Sequence, residues 1–132
     1  MAIASFRAGE AISAGQAVFV SSTGFIYKAS CLNPTQASVV GVSLDSGVSG
    51  DLLRVTTDSV YAGYSGLTPG EYRYLSISTS GSLVPYSTWL SQLATTVSGA
   101  YLESVGKAIT SSGLEVEPTA PLFVVYPLPS GA

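Results

Sequence analysis

The sequence predicts an all-β protein, a small antiparallel β-barrel or two-layer β-sandwich of about eight short strands from two similar halves. At most one short helix and an extended C-terminal arm complete it. Three observations lead there. Short runs rich in Val, Ile, Tyr and Phe recur along the chain, separated by Gly, Pro, Asn and Ser at turn positions. Only one segment spaces its apolar residues as a helix would. The order of turns and strands in the first half returns in the second.

Taken in order, Ile3 to Arg7 reads as a short strand or an arm, apolar enough to need a docking surface. Ala14-Gly15 is a turn, and Gln16 to Val20 is a strand. Ser22-Thr23-Gly24 turns the chain, and Phe25 to Ala29 returns as the hairpin partner. Asn33-Pro34 marks a turn in the next loop. Ala37 to Leu44 is nearly continuous in apolar character, as a strand buried on both faces would be. Gly41 inside it indicates a bulge or a close backbone approach. Asp51 to Thr57 is a further strand, with Leu53 and Val55 on one face. The Tyr- and Gly-rich stretch from Asp58 to Gly66 crosses to the second half.

Pro69-Gly70 fits the centre of a type II turn, since Pro fixes φ at the first central position and Gly accepts positive φ at the second. Tyr72, Tyr74 and Leu75 or Ile77 follow as a strand, and Leu83-Val84 resumes it after a Ser-Thr-Ser-Gly-Ser break. Ser87 to Thr95 is the helix candidate, with Ser87 as its cap and Trp89, Leu90 and Leu93 on one face. Ala100 to Thr110 is a strand with Gly106 at its centre, and Leu114 to Glu117 alternates cleanly after the Ser111-Ser112-Gly113 turn.

From Pro118 the character changes. Proline at 118, 121, 127 and 129 keeps the segment extended and bars it from central ladder positions. Yet Leu122-Phe123-Val124-Val125-Tyr126 is strongly apolar. An exposed apolar β-prone segment invites pairing, so this tail needs either its own sheet's edge or a neighbouring subunit. The expected organisation is an N-terminal arm or edge strand at 1–7, a β-domain at 8–118 with halves 8–66 and 67–118, and a C-terminal arm at 119–132.

The two halves match in detail. Ala14-Gly15, Val18-Phe19-Val20, Ser22-Thr23-Gly24, Val39 to Leu44 and Leu52 to Val55 succeed one another in the first. Pro69-Gly70, Arg73-Tyr74-Leu75, Thr79-Ser80-Gly81, Ser104 to Ile109 and Leu114 to Val116 do so in the second. The Trp89 segment makes the second half longer.

Composition narrows the function classes. Charged residues make up 10% of the chain, against roughly 25% in an ordinary globular protein, so much of the surface is neutral. That surface is either covered by a partner or simply a Ser/Thr-rich β-surface. The five Lys and Arg are scattered and the net charge is −3, which argues against a nucleic-acid binder. The single Cys31 forms no internal disulfide and is expected as a buried small hydrophobe. The N-terminus lacks a signal-peptide pattern, and no apolar run approaches the ~20 residues of a membrane helix, so synthesis and folding in the cytoplasm are expected.

No catalytic group stands out. The chain has no His for a triad, a proton shuttle or an ordinary zinc site. Glu115 and Glu117, and Asp45 and Asp51, are the only acidic groupings, too sparse for a carboxylate metal site. The glycine-rich loops lack the Lys and helix of a P-loop. The reading is a non-enzyme with no cofactor. Aromatics are the stronger lead: Tyr61, Tyr64, Tyr72, Tyr74 and Tyr86 crowd the middle, and Tyr suits interfaces because it offers area at low entropic cost and one polar handle. The residues expected at contacts are Ile3, Phe6, Tyr61, Tyr64, Trp89, Leu122, Phe123, Val125 and Tyr126.

The succession Ala14-Gly15, Val18-Phe19-Val20, Gly24, Val39-Val40-Gly41-Val42, Leu67-Thr68-Pro69-Gly70, Tyr74-Leu75, Gly81 and Val105-Gly106-Lys107-Ala108 resembles small β-modules of tailed bacteriophages. These occur as capsid decoration (cement) proteins and as head- or tail-fibre modules. The resemblance covers about residues 8 to 118 and is one of turn and strand pattern. It implies a structural virion protein on the outer surface of a phage head. There it would bind the major capsid protein and itself, as a homotrimer, and lock neighbouring capsomers. It implies no nucleic acid and no membrane as partner. The terminal segments would then be arms gripping neighbours. The competing reading is a fibre or spike module that recognises a surface glycan.

Overall fold

The computed structural model describes residues 3–94 and 100–124. It is an all-β protein, as the sequence predicts, built from two five-stranded antiparallel sheets, a two-stranded ribbon and one short helix. The first sheet comprises β1 (Ile3–Arg7), β2 (Ala17–Val20), β3 (Ile26–Lys28), β4 (Gly41–Ser43) and β5 (Leu52–Thr56), in the order β1-β5-β4-β2-β3. The second comprises β6 (Val60–Tyr61), β7 (Tyr72–Leu75), β8 (Leu83–Val84), β10 (Ser104–Ala108) and β11 (Leu114–Val116), in the order β6-β11-β10-β7-β8. Helix α1 (Tyr86–Leu93) and the ribbon strands β9 (Ala100–Leu102) and β12 (Leu122–Val124) complete the described elements.

The two orders are the same path through a sheet, and the registers agree pair by pair. Ala17 faces Val42 and Val18 faces Gly41 in the first sheet; Tyr72 faces Lys107 and Arg73 faces Gly106 in the second. Phe19–Tyr27 and Val20–Ile26 correspond to Tyr74–Val84 and Leu75–Leu83. Both copies begin on the same turn. Gly15 and Gly70 have φ of +90° and +91°, a conformation that glycine alone adopts without strain. Their N–H groups donate to Ser43 and Ala108 respectively, two residues beyond Gly41 and Gly106. Those two glycines serve one purpose: a Cβ on Gly41 would overlap the Thr56 carbonyl, and a Cβ on Gly106 the Glu115 carbonyl. Gly106 also sits where the β7–β10 register shifts.

The first sheet curls until its edges meet. Past the end of β1, Ala8 bridges Ile26 of β3 in parallel, and the Gly9 N–H donates to the Ile26 carbonyl at 2.9 Å. Ala8, Ile12, Val18, Ile26, Leu53 and Val55 fill the interior so enclosed. The larger core lies outside this barrel. There Ala17, Phe19, Ala29, Cys31, Val39 and Val42 of the first half meet Leu75, Trp89, Leu93, Ala100, Val105 and Val116 of the second. Strand β2 is therefore buried on both faces, Val18 inward and Ala17 and Phe19 toward the second half, because successive strand residues alternate sides.

More strands form than the eight or so expected. The N-terminal segment is β1, two residues of the crossing stretch make β6, the run from Ala100 divides around Glu103 into β9 and β10, and the tail contributes β12. The helix starts one residue before Ser87, and Pro85 is its N-cap with no capping side-chain bond. Proline holds that residue extended at φ −69° and ψ 162°, so ring geometry replaces the expected hydroxyl cap. Two helical turns are marginal alone; here Trp89 and Leu93 bury themselves in the core. Thr95, the expected helix end, lies outside the described residues.

Candidate functional site

The residues expected at contacts fall into three groups. Ile3, Leu122 and Phe123 are exposed, at 48%, 62% and 51%. Leu122 and Phe123 lie on β12, which pairs on one side with β9. Adjacent residues of a strand point to opposite faces, so β12 exposes apolar area on both. Phe123 leans on Tyr101 with ring centroids 5.0 Å apart. The Tyr101 N–H donates to the Cys31 carbonyl, next to the exposed Leu32, and this ties the ribbon to the first half.

The second group is used within the chain. Phe6 is half-buried against the first-half interior. Tyr61 and Tyr64 meet edge to face at 4.8 Å, and the Tyr64 hydroxyl donates to the Gly15 carbonyl at 2.6 Å. Burial, reinforced by Tyr61, pushes the Tyr64 phenol well above its ordinary range. These tyrosines bind the crossing segment to the first half: the Tyr61 ring lies beside Gly15, and the Tyr64 hydroxyl is spent on its carbonyl. Trp89 requires correction: it is fully buried in the shared core, stacked on Tyr86 at 6.4 Å, and cannot meet a partner. Its size and apolar ring make it the plug between the halves. The third group, Val125 and Tyr126, lies outside the described residues.

Two features carry more chemistry than the sequence suggested. Glu103, at the break between β9 and β10, is 0% exposed. One oxygen accepts the Thr119 hydroxyl at 3.3 Å; Oε2 is buried and has no partner. Burial raises its pKa to about 8, against the smaller opposing pull of the Thr119 hydroxyl and the Val39 N–H. The only hint in the sequence is that Glu103 alternates in phase with the core residue Val105. Near it, Cys31 is buried, as expected, and its thiol donates to the Leu75 carbonyl at 3.0 Å. Burial pushes this thiol up to about 12, more than the Trp89 indole N–H lowers it, so it is no nucleophile at neutral pH.

The second feature is an open cleft of about 400 Å³ lined by residues of both halves, among them Glu10, Phe19, Tyr27, Lys28, Gln36 and Ser80. Among the described residues no group of three or more His, Cys, Asp or Glu side chains is placed to hold a metal ion. No helix among them is long and apolar enough to cross a membrane. No protein-family model matches the chain, and no curated protein matches its sequence.

Proposed function

We propose that this protein is a structural virion component, a decoration or cement protein that binds the outside of a phage head as a homotrimer and holds neighbouring capsomers together. The observation that carries the reading is the apolar area at the two chain ends, on Ile3, Leu122 and Phe123, outside both cores. Edge strands of this kind are normally blunted by charge, proline or a covering element. Here Pro121 precedes the strand, yet Leu122 and Phe123 stay exposed on a ribbon anchored to the body. The mechanism is static. A rigid β-body spans a seam between capsomers, the arms bury their apolar side chains on the shell, and three linked copies gain avidity without any single tight contact.

The test is a head lacking the protein, to which purified protein is added back. Wild type is expected to co-sediment with heads and raise the temperature at which they open. L122S/F123S, whose targets are more than half exposed, is expected to stay folded and remain in the supernatant. Co-sedimentation of the double variant at wild-type level would remove the arm from the mechanism. Heads equally stable with and without the protein would end the cement reading.

A further inference from the structure

We infer that the cleft between β3, the 30–37 loop and the β7–β8 turn is a binding site for a neutral hexose residue of a polysaccharide. The inference rests on the cleft alone and does not depend on the virion reading.

Its floor is aromatic and fixed. Tyr27 stacks on Phe19 with centroids 6.0 Å apart and an interplanar angle of 28°. The ring also lies over Gly9, where any Cβ would overlap it, so glycine seats the ring against the backbone. An aromatic face flanked by a few convergent polar groups is the general form of a small-molecule site, and a volume of about 400 Å³ suits one.

The polar groups around this floor have hydrogen-bonding capacity to spare. Glu10 accepts the Lys28 backbone N–H through Oε2 at 2.8 Å, which fixes the carboxylate and leaves Oε1 for another donor. Lys28 lines the cleft with Glu10, yet the ion pairs among the described residues are Asp45–Arg54 and Glu71–Arg73. One cationic and one anionic residue thus line the same space with no ion pair between them. The Gln36 carboxamide and the Ser80 hydroxyl, each able to donate and accept, make no side-chain hydrogen bond among the described residues and line the same space. The second-half wall is held in place: the Gly81 N–H donates to the Ala29 carbonyl, and the Ala17 N–H to the Gly81 carbonyl, both at 2.8 Å.

The chemistry selects the ligand class. The opposed charges cancel at a distance, so the cleft offers no net field to a phosphate or a cation. A fully apolar ligand would leave the carboxylate, ammonium and carboxamide desolvated and unpaired. A pyranose satisfies both demands. Its C–H face covers the Tyr27 ring, and adjacent hydroxyls donate to Glu10 and accept from Lys28, Gln36 and Ser80.

The experiment is an amide NMR titration of the intact protein with glucose, galactose and mannose, and with a linear trisaccharide of each. Inorganic phosphate and glycylglycine serve as probes of the other ligand classes. Saturable shifts confined to Lys28, Gln36, Ser80 and their neighbours are expected with at least one hexose. Tighter binding of its trisaccharide would identify a polysaccharide as the source, and equal binding a free sugar. Q36A, in an exposed loop, is expected to weaken binding about fivefold, the cost of one neutral hydrogen bond. S80W fills the cleft from an exposed turn and should abolish binding while amides elsewhere keep their positions. No saccharide response, a response unchanged in S80W, or shifts produced by phosphate or glycylglycine alone would overturn the assignment.

Discussion

The first and second sheets follow one topology in one register, yet only the first closes. In the first, Ala8 reaches Ile26 and completes a ring around Val18, Ile26, Leu53 and Val55. In the second, the chain after β6 turns away: Tyr64 bonds to Gly15 of the other half, and β6 and β8 remain the sheet's edges. The interior residue changes accordingly. Arg73 occupies the register position that Val18 holds in the first sheet. Its side chain is 14% exposed and pairs with Glu71 at 3.3 Å, and its Nε is buried without a partner. The comparison teaches that strand order and register come from the repeated turns, whereas closure needs an apolar interior and a segment free to bridge the edges. Giving up closure leaves the second half available to pack Trp89 against its partner.

The sharpest way to break the contrast is to move the arginine. V18R places an unpaired charge inside the closed ring and is expected to cost about 5 kcal/mol or more, enough to unfold a domain of ordinary stability. The reciprocal R73V replaces a largely buried charge, whose Nε has no partner, by an apolar side chain, and is expected to change stability by less than about 1 kcal/mol because relieved desolvation offsets the lost ion pair. Urea unfolding measures both, and equal losses would mean that the second half is as closed as the first. W89A removes the plug between the halves and is expected to cost about 4 kcal/mol. A smaller loss with a broadened, two-step transition would show that the halves melt separately.

The paired glycines test the equivalence of the ladders. G41A and G106A each drive a Cβ into a backbone carbonyl, and each is expected to cost about 3 kcal/mol. A neutral G106A would show that the open sheet yields where the closed one does not.

Glu103 adds a dependence on pH. Its folded pKa of about 8 lies above its ordinary value of 4.5. The stabilisation is thus complete below the ordinary value and is lost as pH rises through the folded one. E103Q cannot ionise. Its stability relative to wild type is expected to rise between pH 5 and pH 8 by about 3.5 kcal/mol, read from melts at several pH values. A constant difference between the two proteins would show that the carboxyl reaches water.

Much of the fold was legible in the sequence because turns and alternation are local. Gly15, Gly70 and Gly24 take the positive φ that their turns demand, and the Gly41 and Gly106 strands match in sequence alone. The candidate site was less legible. By residue type Tyr61, Tyr64 and Trp89 look like Ile3, Leu122 and Phe123, because residue type signals an aptitude for contact and leaves the partner open. Glu103 gave almost no signal, since an acid in a strand normally faces water. The cleft draws Glu10, Tyr27, Gln36 and Ser80 from separate stretches, a proximity that no local pattern encodes.

Local signals alone carry an antiparallel β-protein in two copies of one motif, because glycine, proline and side-chain alternation act over a few residues. Which copy closes, which aromatics are spent inside, where a carboxyl is trapped and where a cleft opens are set by tertiary contacts. Those outcomes depend on the meeting of segments far apart in the chain, and burial and edge contact exist only once they have met.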